Sequence, residues 1–60
     1  MEITYAYLDF ENDKVKVYKW GVKGIGFGEV VINAKTGEII DSECMSEEFC
    51  REIIAYAEGD

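Results

Sequence analysis

The spacing of the apolar residues changes once along the chain, between Asp41 and Ser46. Before that point the chain is rich in β-forming residues, and the stretch 14–20 alternates every second residue, as a β-strand does. After it, the apolar residues recur every three or four positions, as in an amphipathic helix. We therefore predict an α+β fold, in which a four-stranded antiparallel β-meander is followed by one C-terminal α-helix.

Turn residues set the limits of the predicted strands. Asn, Asp and Gly tolerate the backbone angles of tight turns, which favours turns at residues 11–13 and 34–37, with Gly37 in a left-handed position. Residues 21–24 separate the second strand from the third. The predicted strands are residues 2–10, 14–20, 25–33 and 38–41.

The predicted helix follows Ser46, a favourable N-cap residue. Glu47 and Glu48 lie in its first turn, where the helix dipole favours negative charge, and Gly59 is placed to end it. The expected apolar face consists of Phe49, Cys50, Ile53, Ile54, Tyr56 and Ala57, and the opposite face carries Glu48, Arg51, Glu52 and Glu58.

Both faces of the predicted sheet are apolar, whereas a sheet with one wet face alternates apolar and polar residues. One helix covers only one face, and burying an Ile, Leu or Phe side chain contributes about 1.5–3 kcal/mol. A second cover is therefore expected, and a two-fold homodimer is the simplest one. Along the first strand, Ile3, Tyr5 and Tyr7 are expected on one face and Ala6, Leu8 and Phe10 on the other. Along the third strand, Ile25, Phe27 and Val31 oppose Val30 and Ile32, and along the fourth Ile39 opposes Ile40.

The 60 residues suffice for a single domain, residues 1–60, of marginal stability. Residues 29–60 hold nine acidic and two basic residues and carry the whole net charge of −7. Direct binding of nucleic acid depends on basic residues and is not expected. No apolar run approaches the ~20 residues of a membrane span, and no signal peptide is recognisable, so we expect a cytoplasmic protein.

The composition argues against a metal, a cofactor and catalysis. The chain has no His, and its only thiols, Cys44 and Cys50, are too few for a four-ligand zinc site within one copy. Reduced thiols are expected in the cytosol; a disulfide between them, or zinc shared by two copies, are the alternatives. Without His, Ser and Cys lack their commonest base, and surface carboxylates lack a pocket that raises their pKa. We therefore do not expect an enzyme.

Two short motifs attract attention. Gly24, Gly26 and Gly28 alternate around Ile25 and Phe27, and they could form a smooth track for a ligand, make room for a bulky neighbour or mark a β-bulge. Lys14, Lys16, Tyr18 and Trp20 share one face of the second strand. Such a stripe either stacks a base and holds a phosphate or guards a solvent-facing edge.

Three functional hypotheses follow. The first is an acidic homodimeric interaction protein that binds and inhibits or modulates a macromolecule with a basic surface, as inhibitors from phages and mobile elements do. The second is a protein that binds a small molecule or nucleotide at a dimer interface, and the third is a structural subunit of a larger assembly. The contact residues of the first are Glu47, Glu48, Glu52, Glu58, Tyr18, Trp20 and Phe27; those of the second are Lys16, Tyr18, Trp20, Gly24, Gly26 and Gly28.

Overall fold

A computed structural model of the chain describes residues 2–43 and 46–59. It confirms the predicted order of four antiparallel strands and one C-terminal helix. The sheet has the order β1-β2-β3-β4, so each strand pairs with its neighbour in sequence. The elements are β1 (Ile3–Glu11), β2 (Val15–Val22), β3 (Gly26–Asn33), β4 (Ile39–Ser42) and α1 (Glu47–Ala57).

Asparagine side chains form two of the three hairpin turns. The Asn12 Oδ1 atom accepts hydrogen bonds from the backbone N–H groups of Lys14 and Val15, both at 2.8 Å. Asn33 makes the same kind of turn between β3 and β4, and Gly37 adopts the expected positive φ of 79°. The turns predicted at residues 11–13 and 34–37 are thereby confirmed, because Asx turns fix the chain reversal locally.

The helix is capped as predicted. The Ser46 hydroxyl accepts a hydrogen bond from the Phe49 N–H at 3.1 Å, and Gly59 follows the last turn with a φ of 82°. The guanidinium of Arg51 donates to the Gly37 carbonyl at 2.8 Å, which ties the helix to the β3–β4 turn. This hydrogen bond adds a polar contact to the packing of the helix against the sheet.

One face of the sheet and one side of α1 form the hydrophobic core. We call this sheet face the covered face. Trp20 and Phe49 meet edge to face, with ring centroids 5.2 Å apart. The buried residues of the core are Tyr18, Trp20, Val22, Val30, Ile32, Phe49, Cys50, Ile53 and Ile54, and Ile3, Ala6, Ile39 and Ala57 pack against them.

The structure corrects the predicted faces of β1. Ile3 packs against the core with Ala6, whereas Phe10 lies opposite Val17, on the face that carries Tyr5. The physical reason is a pair of register irregularities, between Ile3 and Tyr5 and after Leu8, because an extra residue in a strand reverses the sides that follow.

Three smaller predictions also need correction. β2 continues through Gly21 to Val22 instead of ending at residue 20, and Ile25 lies in the turn before β3. Tyr56 was expected on the apolar side of the helix but is half-exposed. The thiol of Cys50 is buried beneath the helix, whereas the prediction for Cys44 lies outside the described residues.

Candidate binding surface

The second face of the sheet, here called the open face, is not covered by any helix of residues 2–43 and 46–59. Its side chains are identified by the strand register, because directly paired residues project from the same face. Phe27 is 80% exposed, and Tyr5, Tyr7 and Phe10 are about half-exposed. The open face consists of Tyr5, Tyr7, Phe10, Val15, Val17, Lys19, Gly21, Phe27, Glu29, Val31, Asn33 and Asp41.

An ion pair lies near the middle of the open face. Lys19 and Glu29 are paired across β2 and β3, and the Nζ atom of Lys19 is 3.9 Å from a carboxylate oxygen of Glu29. Tyr7 pairs with Lys19 on its other side, in β1. The surroundings are largely aromatic and aliphatic, so this pair is the main polar feature at the centre of the surface.

A cleft of about 410 Å³ opens at the end of the open face next to the β2–β3 turn. The ring of Tyr5 lies over Gly21, where a β-carbon would overlap it, and Phe27 forms the other side of the cleft. A smaller depression of about 160 Å³ adjoins it between Tyr5, Lys19 and Phe27. The remaining residues of the larger cleft are Thr4, Val22, Lys23, Gly24, Ile25 and Gly26.

The three alternating glycines occupy different environments. Gly24 and Gly26 have positive φ values of 84° and 139° in and after the turn, with open space around them. Gly28 is buried, and a β-carbon there would lie 2.9 Å from the Glu43 β-carbon and 3.1 Å from the Trp20 ring. Gly28 thus makes room for a bulky neighbour and borders the smaller depression, whereas Gly24 and Gly26 line the larger cleft.

The predicted stripe on β2 does not form a contact surface. Tyr18 and Trp20 are only 1% and 3% exposed, because they lie on the covered face beneath the helix. Lys16 is half-buried and lies 3.9 Å from the Glu11 carboxylate, and Lys14 precedes the strand. The aromatic anchors proposed at positions 18 and 20 are therefore core residues.

Tyr18 retains one polar contact at the edge of the core. Its hydroxyl donates a hydrogen bond of 2.7 Å to a carboxylate oxygen of Glu58. Burial, together with the hydrogen bond to Glu58 and the negative charge of that carboxylate, raises the pKa of Tyr18 to about 12. The phenol is thus held neutral, which suits a structural role better than proton transfer at neutral pH.

The four predicted helix carboxylates are exposed, but they lie far from the aromatic anchor predicted with them. Glu47, Glu48, Glu52 and Glu58 lie on the helix, which packs on the covered face, and Phe27 projects from the opposite face. Glu47 also lies 3.7 Å from Arg51. The structure therefore divides the predicted partner-binding set between two sides of the molecule.

The contact residues predicted from the sequence do not include Tyr5, Tyr7 and Phe10. The sequence does contain a signal for them, because both faces of the first strand are apolar and the face without a helix needs a second cover. The structure places these three rings together with Phe27 on the open face.

No group of three His, Cys, Asp or Glu side chains forms a candidate metal site in residues 2–43 and 46–59. Within the same part of the chain, no helix has both the length and the apolar character that crossing a bilayer requires. Comparisons with known protein families, curated proteins and solved structures found no match.

Proposed function

We propose that the chain is a protein-binding module that works through its open face and blocks or modulates a macromolecular partner by occupying the partner's surface. The observation that carries the proposal is the group of exposed rings of Tyr5, Tyr7, Phe10 and Phe27. Contiguous apolar patches on small soluble domains mark interaction sites. Aromatic side chains are also enriched at the centres of protein interfaces.

The helix carboxylates support association at longer range. Glu48 and Glu52 are exposed on the side of the molecule opposite the open face. A negative surface attracts a basic partner and speeds the encounter without forming the final contact. We therefore expect a partner that has an apolar contact region and a net positive charge.

A capture experiment with two classes of variant tests this function. Phe10→Ser and Phe27→Ser alter the open face, whereas Glu48→Lys and Glu52→Lys alter the helix. Immobilised wild-type chain is expected to retain a specific set of proteins that mass spectrometry identifies. The open-face variants should lose those proteins, and the helix variants should retain them with slower association. Equal capture by the wild type and the open-face variants would refute the proposal.

The cleft favours a second candidate function, the binding of a small apolar molecule. Its volume of about 410 Å³ falls within the ~300–1,000 Å³ that is usual for small-molecule sites. Ile25 contributes an exposed apolar wall. An NMR fragment screen should find binders that Ile25→Asp abolishes and Phe10→Ser, outside the cleft, leaves unaffected. A screen without such binders would exclude this candidate.

A further inference from the structure

We infer that the open face binds a second copy of the chain, stacked face to face about a two-fold axis that runs along the strands between β2 and β3. This inference rests on the proposed function and names one partner of the same surface. The two longer dimensions of the molecule, 33 and 20 Å, limit the open face to on the order of 600 Å², compared with the ~800 Å² that each partner contributes to a standard interface and the ~500 Å² of a small specific one. The open face is therefore large enough for a specific dimer.

The distribution of charge permits two acidic chains to approach through this face. The chain has a net charge of −7, yet the charges on the open face and in its two depressions nearly balance in the described residues: Lys19 and Lys23 against Glu29, Asp41 and Glu43. Stacked sheets lie about 10 Å apart, which leaves both helices on the outside of the dimer. The helix carboxylates of the two copies are then separated by more than the Debye length of ~8 Å at physiological salt.

The strand register selects the direction of the axis. Lys19 and Glu29 are direct partners across β2 and β3, so they lie at the same height along the strands. A two-fold axis between these strands places Lys19 opposite the partner's Glu29, and the reverse contact follows by symmetry. An axis across the strands at this height would place Lys19 opposite the partner's Lys19, which is unfavourable.

The cross-strand pairs on either side of Lys19 and Glu29 are compatible with the same two-fold axis. Gly21 pairs with Phe27, so the axis places the partner's Phe27 over Gly21, at the cleft beside the Tyr5 ring. Val17 pairs with Val31, so these side chains also meet across the interface. Phe27, the most exposed large apolar residue of the described chain, thus enters a cleft of the other copy. Aligned sheet packing tolerates the crossing of about 30° that sheet twist imposes.

A charge-exchange experiment tests the arrangement. Lys19→Glu and Glu29→Lys each create two like-charge contacts in the homodimer, and together they create attractive contacts in a heterodimer. Sedimentation velocity should show a wild-type dimer, a dissociation constant raised roughly tenfold or more for each variant alone, and recovery in the equimolar mixture. Lys35→Glu and Glu52→Lys make the same charge changes at exposed positions outside the open face, and they should retain the wild-type dissociation constant.

The possible outcomes separate this inference from the proposed function. A wild-type chain that stays monomeric at millimolar concentration overturns the dimer, as do single variants that dimerise normally or a mixture that does not recover. Circular dichroism verifies that each variant is folded. A monomer whose partner capture is lost in Phe27→Ser leaves the proposed function standing. If the wild type dimerises but Phe27→Ser captures other proteins as well as the wild type does, the dimer inference stands and the proposed function is refuted.

Discussion

The two faces of the sheet are built from similar kinds of residue but have different surroundings. The covered face holds Tyr18, Trp20 and Val30 beneath the helix, and all three are buried. The open face holds Tyr5, Tyr7 and Phe10, which remain about half-exposed. An apolar sheet face therefore indicates that a cover is needed, but it does not identify the face that the chain's own helix covers.

The faces differ more clearly in their polar groups. On the covered face, the Tyr18 hydroxyl reaches Glu58 at the edge of the core, and the Trp20 Nε1 atom is buried with no acceptor in the described part of the chain. On the open face, Lys19 and Glu29 remain half-exposed as an ion pair. Water can solvate that pair in a single copy, so the open face tolerates charges that a buried core would not.

The largest expected loss of stability comes from truncating an isoleucine in the core, and the same substitution outside the core serves as the comparison. Ile53 is fully buried in the helix, whereas Ile40 of β4 is 56% exposed. Ile53→Ala should lower the free energy of unfolding by about 2–5 kcal/mol, because it removes buried methyl groups and leaves a cavity. Ile40→Ala should change it by less than ~0.5 kcal/mol. Urea titration of dilute protein measures both; equal losses would contradict the assigned burial.

The next largest loss of stability is expected from replacing a buried glycine with alanine, and two such glycines lie on opposite faces of the sheet. Gly28→Ala should cost about 1–3 kcal/mol, because the new methyl group meets the Glu43 β-carbon and the packed Trp20 ring. Gly21→Ala should cost less, because the contacting end of the Tyr5 ring is half-exposed and can swing outward. Thermal unfolding of both variants measures the difference, and a larger loss for Gly21→Ala would reverse the comparison of the faces.

A smaller effect concerns the polar edge of the core. Tyr18→Phe should lower the free energy of unfolding by about 1 kcal/mol at neutral pH, because it removes the hydrogen bond to Glu58. Chemical denaturation with Trp20 fluorescence as the probe measures this loss. An unchanged stability would show that the hydrogen bond contributes nothing.

The same tyrosine predicts a dependence of stability on alkaline pH. Its pKa is raised in the folded chain from 10.0 to about 12, so the folded state retains the proton more strongly than the unfolded state. The stability that comes from protonated Tyr18 is therefore fully present below pH 10. It is lost between pH 10 and 12, where the free energy of unfolding falls by up to ~1.4 kcal/mol for each pH unit. Tyr18→Phe should decline less steeply across this range, and parallel curves for the two proteins would contradict the assignment.

The smallest effect is expected on the open face. Phe10→Ser should change the unfolding free energy of the dilute single copy by no more than ~0.5 kcal/mol, because the ring is already half-exposed. At high concentration, only the wild type should gain stability, because self-association favours the folded state. Denaturant titrations at two chain concentrations measure this difference. A large loss in dilute solution would show that Phe10 belongs to the core.

The sequence was sufficient for the order of elements because its local signals agree. The side-chain oxygens of Asn12 and Asn33 form the two turns, and the Ser46 hydroxyl caps the helix. Gly37 and Gly59 take the positive φ values that were expected of them. Each of these features depends on residues within a few positions, which sequence patterns capture well.

The composition of the candidate surface could not be predicted to the same degree. Register irregularities move Ile3 and Phe10 to opposite faces, and no residue of β1 marks them in the sequence. Tyr18 and Trp20 were expected to be available for contact because a stripe of aromatic and basic residues is equally compatible with either face. The position of the helix decides between these faces, and it depends on packing between distant parts of the chain.

The burial of Cys50 gives the molecule an internal reporter. Its side chain is 1% exposed between helix and sheet. An alkylating reagent can reach that sulfur only when the helix has separated from the strands, so the labelling rate measures how often the covered side opens. In a Cys44→Ser background, one thiol would report this motion without an added probe.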